Sequence, residues 1–298
     1  MPLTAYFNEI RSMVEREMDR LVPAATAYPP HLHESMRYSL FAGGKRLRPI
    51  LAVAACDTVK GNRAKVIPFA VTLEVVHTYT LIHDDLPAMD NDDLRRGMPT
   101  NHIKFGEAAA ILAGDGLLTL AFEILADAKN FPGVDPETLL DVTRRTARAI
   151  GSLGTVGGQM ADIQFAGDKV EADLATLEYI HTHKTGKLIE ISVRGGAQLA
   201  GAREDEIEAL AEYGRSIGLA FQVVDDLLDI EGSREKLGKT PGSDAKNKKL
   251  TYPALLGVEE SRRLATRLTD RAIKSLEMFG DSAERLSDLA KYVIARAF

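Results

Sequence analysis

A single cysteine, Cys56, is all this chain carries, so no intrachain disulfide can form and a reducing compartment suits it. Long hydrophobic runs are missing as well. None approaches the roughly 18–20 apolar residues that a membrane span needs. The N-terminal stretch Met1 to Glu9 has neither the basic segment nor the apolar core of a secretory signal. Positive charge is not in excess: 37 Lys and Arg against 43 Asp and Glu leave a formal net charge of −6. That balance argues against bulk nucleic-acid binding and leaves room for a local basic site. Strand-like alternation between hairpin turns is absent, as are fixed-period repeats, low-complexity tracts and shifts of composition. No Gly-x-Ser-x-Gly elbow or Lys-containing phosphate loop of the nucleotide hydrolases occurs. These absences leave a cytoplasmic protein with no membrane span, built as one domain over residues 1–298.

Helical periodicity is what the chain has in quantity. Phe7, Ile10, Met13/Val14 and Met18 recur at helical spacing, and Pro23 and Tyr28-Pro29-Pro30 end that first helix. A second helix over 31–42 stops at Gly43-Gly44, and a third over 64–85 is apolar nearly all round, as a buried central helix would be. Further helices fit 107–129, 136–150, 173–200, 204–231, 250–278 and 282–296, with a Gly-rich join over 151–158 and a polar, basic loop over 233–249. The fold class is all-α.

Two of the helices end in carboxylates. Gln222, Asp225/Asp226 and Asp229 fall at i, i+3/i+4 and i+7, one stripe of one helix, with Val223, Val224, Leu227, Leu228 and Ile230 around them. A solvated acidic face would not usually carry so many apolar neighbours. The other set lies where Pro87 should end the central helix near Asp85, so Asp84 and Asp85 sit at its C-terminus with Asp90, Asp92 and Asp93 just beyond. Negative charge there opposes the helix macrodipole, and a broken local rule of this kind points to function. Buried carboxylates need positive partners, and oxygen-only ligands favour Mg2+, which shares its shell with waters and phosphate-bearing substrates.

Cations supply the other half. Gly43-Gly44-Lys45-Arg46-Leu47-Arg48-Pro49 is a turn with three cations at the start of a helix, and Arg95-Arg96-Gly97 follows the first acidic loop. Arg suits bidentate phosphate contacts and Lys a point-charge contact. Taken one by one, each is most often an ordinary surface residue. His77 lies two turns before Asp84 on the same face, where a histidine is usually a hydrogen-bonded core residue but, beside a cationic turn, could donate to phosphate. No nucleophile stands out, and Cys56, within an apolar helix, reads as core. Metal-binding carboxylates, cationic phosphate sites and apolar helices together suit a diphosphate on an oily tail.

In combination these motifs resemble the trans-isoprenyl diphosphate synthases, most closely the bacterial farnesyl type. The resemblance rests on the cationic turn, the first Asp motif from Asp84 to Asp90 with its two-residue insertion, Asp93 to Gly97, Gly157-Gly158-Gln159, Lys184-Thr185-Gly186 and Phe221 to Asp229. It implies a helical bundle around a central apolar tunnel, a homodimer, and three Mg2+ ions, with Mn2+ a possible substitute. Carried over by position, Asp84, Asp85, Asp90, Asp225, Asp226 and Asp229 would be the metal-site carboxylates, some direct and some through water. Arg95, Lys184 and Lys239 would hold the allylic partner, dimethylallyl or geranyl diphosphate. Gly44, Lys45, Arg48, His77 and Arg96 would bind isopentenyl diphosphate, and Thr185 and Gln222 would line the site where a carbocation develops. Lys184, Thr185, Gln222 and Arg95 would thus act in catalysis. Asn91 stands where relatives often have Asp; with Asp84 and Asp90 kept, little should change.

Product length is expected from Tyr79 and Thr80. Tyr79 precedes Asp84 by five residues, roughly 7–8 Å down the helix, where a bulky ring would limit the growing tail; the resemblance implies that an aromatic there, with the two-residue insertion, goes with fifteen carbons. Thr80 is too small to block the tail alone. The resemblance therefore implies farnesyl diphosphate, with geranylgeranyl diphosphate as the alternative and a non-catalytic subunit of a heteromeric synthase behind both. A class I terpene cyclase would carry an Asn/Ser/Glu-type second metal motif and has no use for Lys45 and Arg48.

Overall fold

In the computed structural model, which describes residues 2–165, 173–231 and 250–295, the chain is all helical apart from one very short hairpin. It forms two compact units, Met1–Val53 with Asn62–Thr143, and Ala54–Gly61 with Arg144–Phe298.

In the first unit, helix α1 (Leu3–Leu21) buries Tyr6, Ile10, Val14 and Met18, an i, i+4 stripe. At about 1.5–3 kcal/mol for each large apolar side chain, that stripe outweighs the lack of a side-chain N-cap. Helix α2 (Pro30–Leu40) starts on a proline. Helix α3 (Leu47–Thr58) follows the cationic turn. Helix α4 (Ile67–Asp84) has 13 of its 18 residues buried, which makes it the central helix the sequence predicts. It packs against α1, α2 and α6 (Glu107–Ala126). Gly114 makes room for α4, since a Cβ there would collide with the His83 ring. By length and composition α6 could cross a membrane; Glu107, Asp115 and Glu123 interrupt the run, so a count of uninterrupted apolar residues passes over it. Two-residue strands β1 (Leu94–Arg95) and β2 (Met98–Pro99) pair antiparallel ahead of the short α5 (Asn101–Phe105).

Helix α7 (Pro136–Ile150) leads into the second unit. There the Gly-rich segment does not stay a join: α8 (Thr155–Phe165) begins inside it. The single helix expected over 173–200 is three pieces, α9 (Leu174–His181), a π-helical turn (Thr182–Gly186) and α10 (Lys187–Leu199). Helix α11 (Glu204–Glu231) keeps its predicted limits. Gly214 and Gly218 bring it close to the preceding segment, since a Cβ at Gly218 would lie 3.1 Å from the Gly186 Cα. The helix expected over 250–278 is split by Gly257, at φ +80°, into α12 (Tyr252–Leu256) and α13 (Val258–Lys274). Helix α14 (Glu284–Ile294) closes the unit. Leu177, Val223, Val224, Leu227, Leu228 and Tyr252 form a core directly under the second acidic stripe.

Candidate active site

The first unit carries the cationic turn and the first acidic motif, and the β1–β2 hairpin ties them together. Its two loop residues, Arg96 (φ 54°) and Gly97 (φ 77°), both have positive φ, the requirement of a tight type I′ connection. Arg95, the last residue of β1, has Nε 2.7 and 2.9 Å from the two carboxylate oxygens of Asp85. Arg96 donates to the Gly43 carbonyl. Gly44 is required beside it, because a Cβ there would lie 2.7 Å from the Arg96 guanidinium carbon.

Within the turn, the three cations divide by burial. Lys45 is exposed and Arg48 half-buried. Arg46 is buried, at φ 52°, with Nη1 2.6 Å from Glu74 Oε1 and Nη2 2.8 Å from the Leu40 carbonyl. Arg46 is therefore an anchor for the turn, with Lys45 and Arg48 nearer the surface on either side of it. Glu74 was missed from the sequence, although a lone acid among Phe69 to Val76 signals a buried charge in need of a partner. Burial, then the positive charge of Arg48, Arg96, Arg95 and Arg46, holds the His77 imidazole well below its usual range. At neutral pH it is uncharged, and one ring N–H can donate to an anion among the four guanidiniums.

Helix α4 ends where Pro87 predicts, with Asp85 as its C-cap. The Asp90 N–H donates to the Asp84 carbonyl at 2.9 Å, which folds the loop back and brings those two residues side by side. Asp85 behaves differently. It is buried and held by Arg95, and burial raises its pKa despite that cation. Arg95 also lies 3.5 Å from Asp92. A small cavity of about 30 Å³ opens here, lined by Tyr38, Thr78, Asp85, Arg95 and Arg96 among others.

Tyr79 and Asp84 are offset around α4. Five residues is one full turn plus about 140° around a helix, whereas Thr80, four residues back, lies within about 40° of it. The Tyr79 ring packs edge-on against His83 at 5.9 Å, and His83 meets the Ile111 carbonyl of α6 at 3.1 Å. Burial and then the charge of Asp84 push the Tyr79 hydroxyl up to about 12, and it has no hydrogen-bond partner among the described residues. The Thr80 hydroxyl donates to the His77 carbonyl at 2.9 Å.

In the second unit, the π-helical turn carries Lys184 and the half-buried Thr185. Lys184 Nζ is 2.6 Å from Asp162 of α8, a partner the sequence reading missed because nothing marked it among the residues of that helix. Gly158 lets α8 approach, since a Cβ there would collide with the Lys184 backbone nitrogen. The side-chain carbonyl oxygen of Gln159 is buried with no hydrogen-bond partner among the described residues. On α11, Asp225 is half-buried and Asp226 and Asp229 are buried, so this stripe is not a solvated face. Asp226 Oδ2 accepts the Tyr252 N–H at 2.9 Å and lies 3.5 Å from His181 Nε2. Gln222 Nε2 is 2.9 Å from His181 Nδ1. Lys239 lies outside the described residues.

Among the described residues no three His, Cys, Asp or Glu side chains converge on one point. What the chain offers is pairs of hard oxygen donors, Asp84 beside Asp90 and Asp225 one turn before Asp229. That donor chemistry fits Mg2+, which keeps waters and takes the rest of its shell from substrate phosphate.

Comparison with known proteins agrees with this chemistry. Residues 29–285 match the polyprenyl synthetase family. A dimethylallyltranstransferase of Fischerella ambigua is 48% identical over 99% of this chain and 84% of its own. A geranylgeranyl diphosphate synthase of Cyanophora paradoxa is 45% identical over 99% and 96% respectively. The crystal structure of an FPP/GFPP synthase from Zymomonas mobilis superposes with a TM-score of 0.88 at 38% identity, covering 98% of both chains. The chain is a prenyltransferase and belongs to the polyprenyl synthetase family, the trans-isoprenyl diphosphate synthases.

Proposed function

We propose that this enzyme condenses isopentenyl diphosphate with allylic diphosphates and releases geranylgeranyl diphosphate. The observation that carries the condensation is the β1–β2 hairpin, which joins a cationic turn to a carboxylate-bearing helix end through Arg96 on Gly43 and Arg95 on Asp85. Lys45, Arg48, neutral His77 and Arg96 bind isopentenyl diphosphate without metal. Lys184 and Arg95 hold the allylic diphosphate, with Lys239 assigned by resemblance alone. Asp84, Asp90, Asp225 and Asp229 would hold Mg2+. Asp85, held by Arg95, and Asp226, which accepts the Tyr252 N–H, complete the six carboxylates, some acting directly and some through water. Bound Mg2+ supplies charge neutralisation of the departing diphosphate.

The allylic C1–O bond breaks and its electron pair leaves with diphosphate. The double bond of isopentenyl diphosphate forms the new C–C bond to C1, and the proton lost from C2 passes to the released diphosphate. Lys184 and Arg95 stabilise the leaving charge, and Thr185 and Gln222 turn oxygen toward the allylic cation. No side-chain base is needed.

Twenty carbons, rather than the fifteen expected from the sequence, is the better reading of product length. The relative that aligns over nearly the whole of both chains is named a geranylgeranyl diphosphate synthase. The Tyr79 ring packs edge-on against His83 and stands about 140° round the helix from Asp84, which supports a tail that passes it. The residue one turn below Asp84 is Thr80, which leaves room for a longer tail. Wild type fed isopentenyl and farnesyl diphosphates should yield geranylgeraniol after dephosphorylation, by mass spectrometry. Thr80→Phe should stop at farnesol, and Tyr79→Ala should still give twenty carbons. A wild type that stops at fifteen, lengthened by Tyr79→Ala, would restore Tyr79 as the floor.

The diphosphate sites should separate kinetically. Arg48→Ala removes a charge-assisted contact of about 1.5–3 kcal/mol and should raise the KM for isopentenyl diphosphate roughly ten- to a hundredfold. Lys184→Ala should fall on the allylic partner. The inverse pattern would exchange the two assignments.

A homodimer is proposed from the resemblance and from the exposed Ile103, Ile111 and Leu112, to be read by light scattering. Buried Cys56, which needs no oxidising partner, supports the cytoplasm as its compartment.

A further inference from the structure

His181 ends α9 immediately before the π-helical turn, and neither the motifs nor the reaction above gives it a task. It is 8% exposed and enclosed on three sides. Its ring stacks on Tyr252, with centroids 5.4 Å apart and planes 20° apart. Its Nδ1 meets Gln222 Nε2 at 2.9 Å, and its Nε2, which makes no hydrogen bond among the described residues, has Asp226 Oδ2 nearest at 3.5 Å. Asp226 is itself fixed by the Tyr252 N–H, so the carboxylate does not turn away.

These contacts favour one arrangement of the hydrogens. A carboxylate only accepts, so it favours the tautomer with the proton on Nε2. Nδ1 then carries a lone pair and takes a hydrogen bond from the Gln222 amide N–H. An amide has two unlike ends. With its nitrogen committed to His181, its carbonyl oxygen is the end left over, on the stripe that Gln222 shares with Asp225 and Asp229.

We propose that His181 is a positioning residue which, backed by Asp226, locks the Gln222 amide with its carbonyl oxygen offered to the allylic cation. The proposal rests on the prenyl-transfer reading above. A carbonyl oxygen is the negative end of the amide dipole and lowers the energy of a positive charge forming beside it. A flipped amide would present N–H to that charge and raise it. Asp226 on this account orients an imidazole, as outer carboxylates do behind functional histidines, and a direct metal bond is not its task.

Two measurements test this. The first needs no turnover: long-range proton–nitrogen NMR on the metal-free full-length chain should give His181 as the Nε2-protonated tautomer. An Nδ1-protonated ring would overturn the proposal whatever the enzyme makes. The second is kinetic. His181→Phe keeps a ring on Tyr252 and removes the acceptor; it should lower kcat about ten- to a hundredfold with both KM values within about twofold. His181→Asn, whose side-chain oxygen can accept the Gln222 N–H, should recover most of the loss. In a Gln222→Ala background His181→Phe should cost nothing further, because residues that act through one another are not additive. Independent, multiplying losses would mean that His181 acts elsewhere. If His181→Phe does not fold, the tautomer and the Asn variant decide. A wild type with no condensation product would sink the prenyl-transfer reading and leave the NMR result standing.

Discussion

Asp84→Ala should cut turnover by about a thousandfold while leaving the protein folded. Asp84 sits in the last turn of α4, where a negative charge is disfavoured by about 0.3–1 kcal/mol of macrodipole energy. Its removal should therefore leave the melting temperature unchanged or slightly raised. Asp85→Ala should behave oppositely on stability, because it strands the Arg95 guanidinium that burial already disfavours. Mg2+ with inorganic diphosphate should raise the melting temperature of wild type and not of Asp84→Ala, a readout separate from turnover. Full activity of wild type in excess chelator, or an Asp84→Ala enzyme of normal rate, would remove the carboxylates from the chemistry.

Glu74→Leu should be the most destabilising single change near the site. Its carboxylate and the Arg46 guanidinium are 2.6 Å apart with side chains 2% and 1% exposed, and removing one partner of such a pair costs about 3–5 kcal/mol. The energy is lost because Arg46 stays buried, held by the Leu40 carbonyl and left with only the half-exposed Glu15 at 3.7 Å as an acid. Arg46→Met with Glu74→Leu should regain most of the stability, since the stranded charge is gone. Affinity for isopentenyl diphosphate should not return with it, because nothing then pins the turn that carries Lys45 and Arg48. Calorimetry paired with direct binding of isopentenyl diphosphate separates the two effects. Recovery of both together would reduce Arg46 to packing.

Much of this was legible in the chain. Pro87 ends α4 next to Asp84 and Asp85, and the spacing of Gln222, Asp225 and Asp229 sets one stripe on α11, so composition and period were enough. The β1–β2 hairpin was not legible. Two-residue strands are too short to alternate, and its loop uses Arg96 at positive φ where Asn or Asp is the usual signal. Helix α8 was hidden because Gly157 and Gly158 read as loop, whereas Gly158 serves close packing against the Lys184 backbone. For Tyr79, distance along α4 is legible in the chain, whereas the direction its ring takes is set by neighbours such as His83. His181 and Asp162 carried no signal, because their meaning lies in neighbours 41 and 22 residues away.

The π-helical turn can also be regarded as a dislocation. Its closing bond, from the Lys187 N–H to the Thr182 carbonyl, spans one residue more than an α-helical bond. Like a misfit row in a crystal, such a fault need not stay put. Exchanging one wide bond for a regular one moves it by a residue, and each step swings one side chain by about 100° around the axis while the rod on either side keeps its seat. Here the extra residue between α9 and α10 turns everything beyond it by about 100° relative to an unbroken rod, and Lys184, inside the fault, meets Asp162.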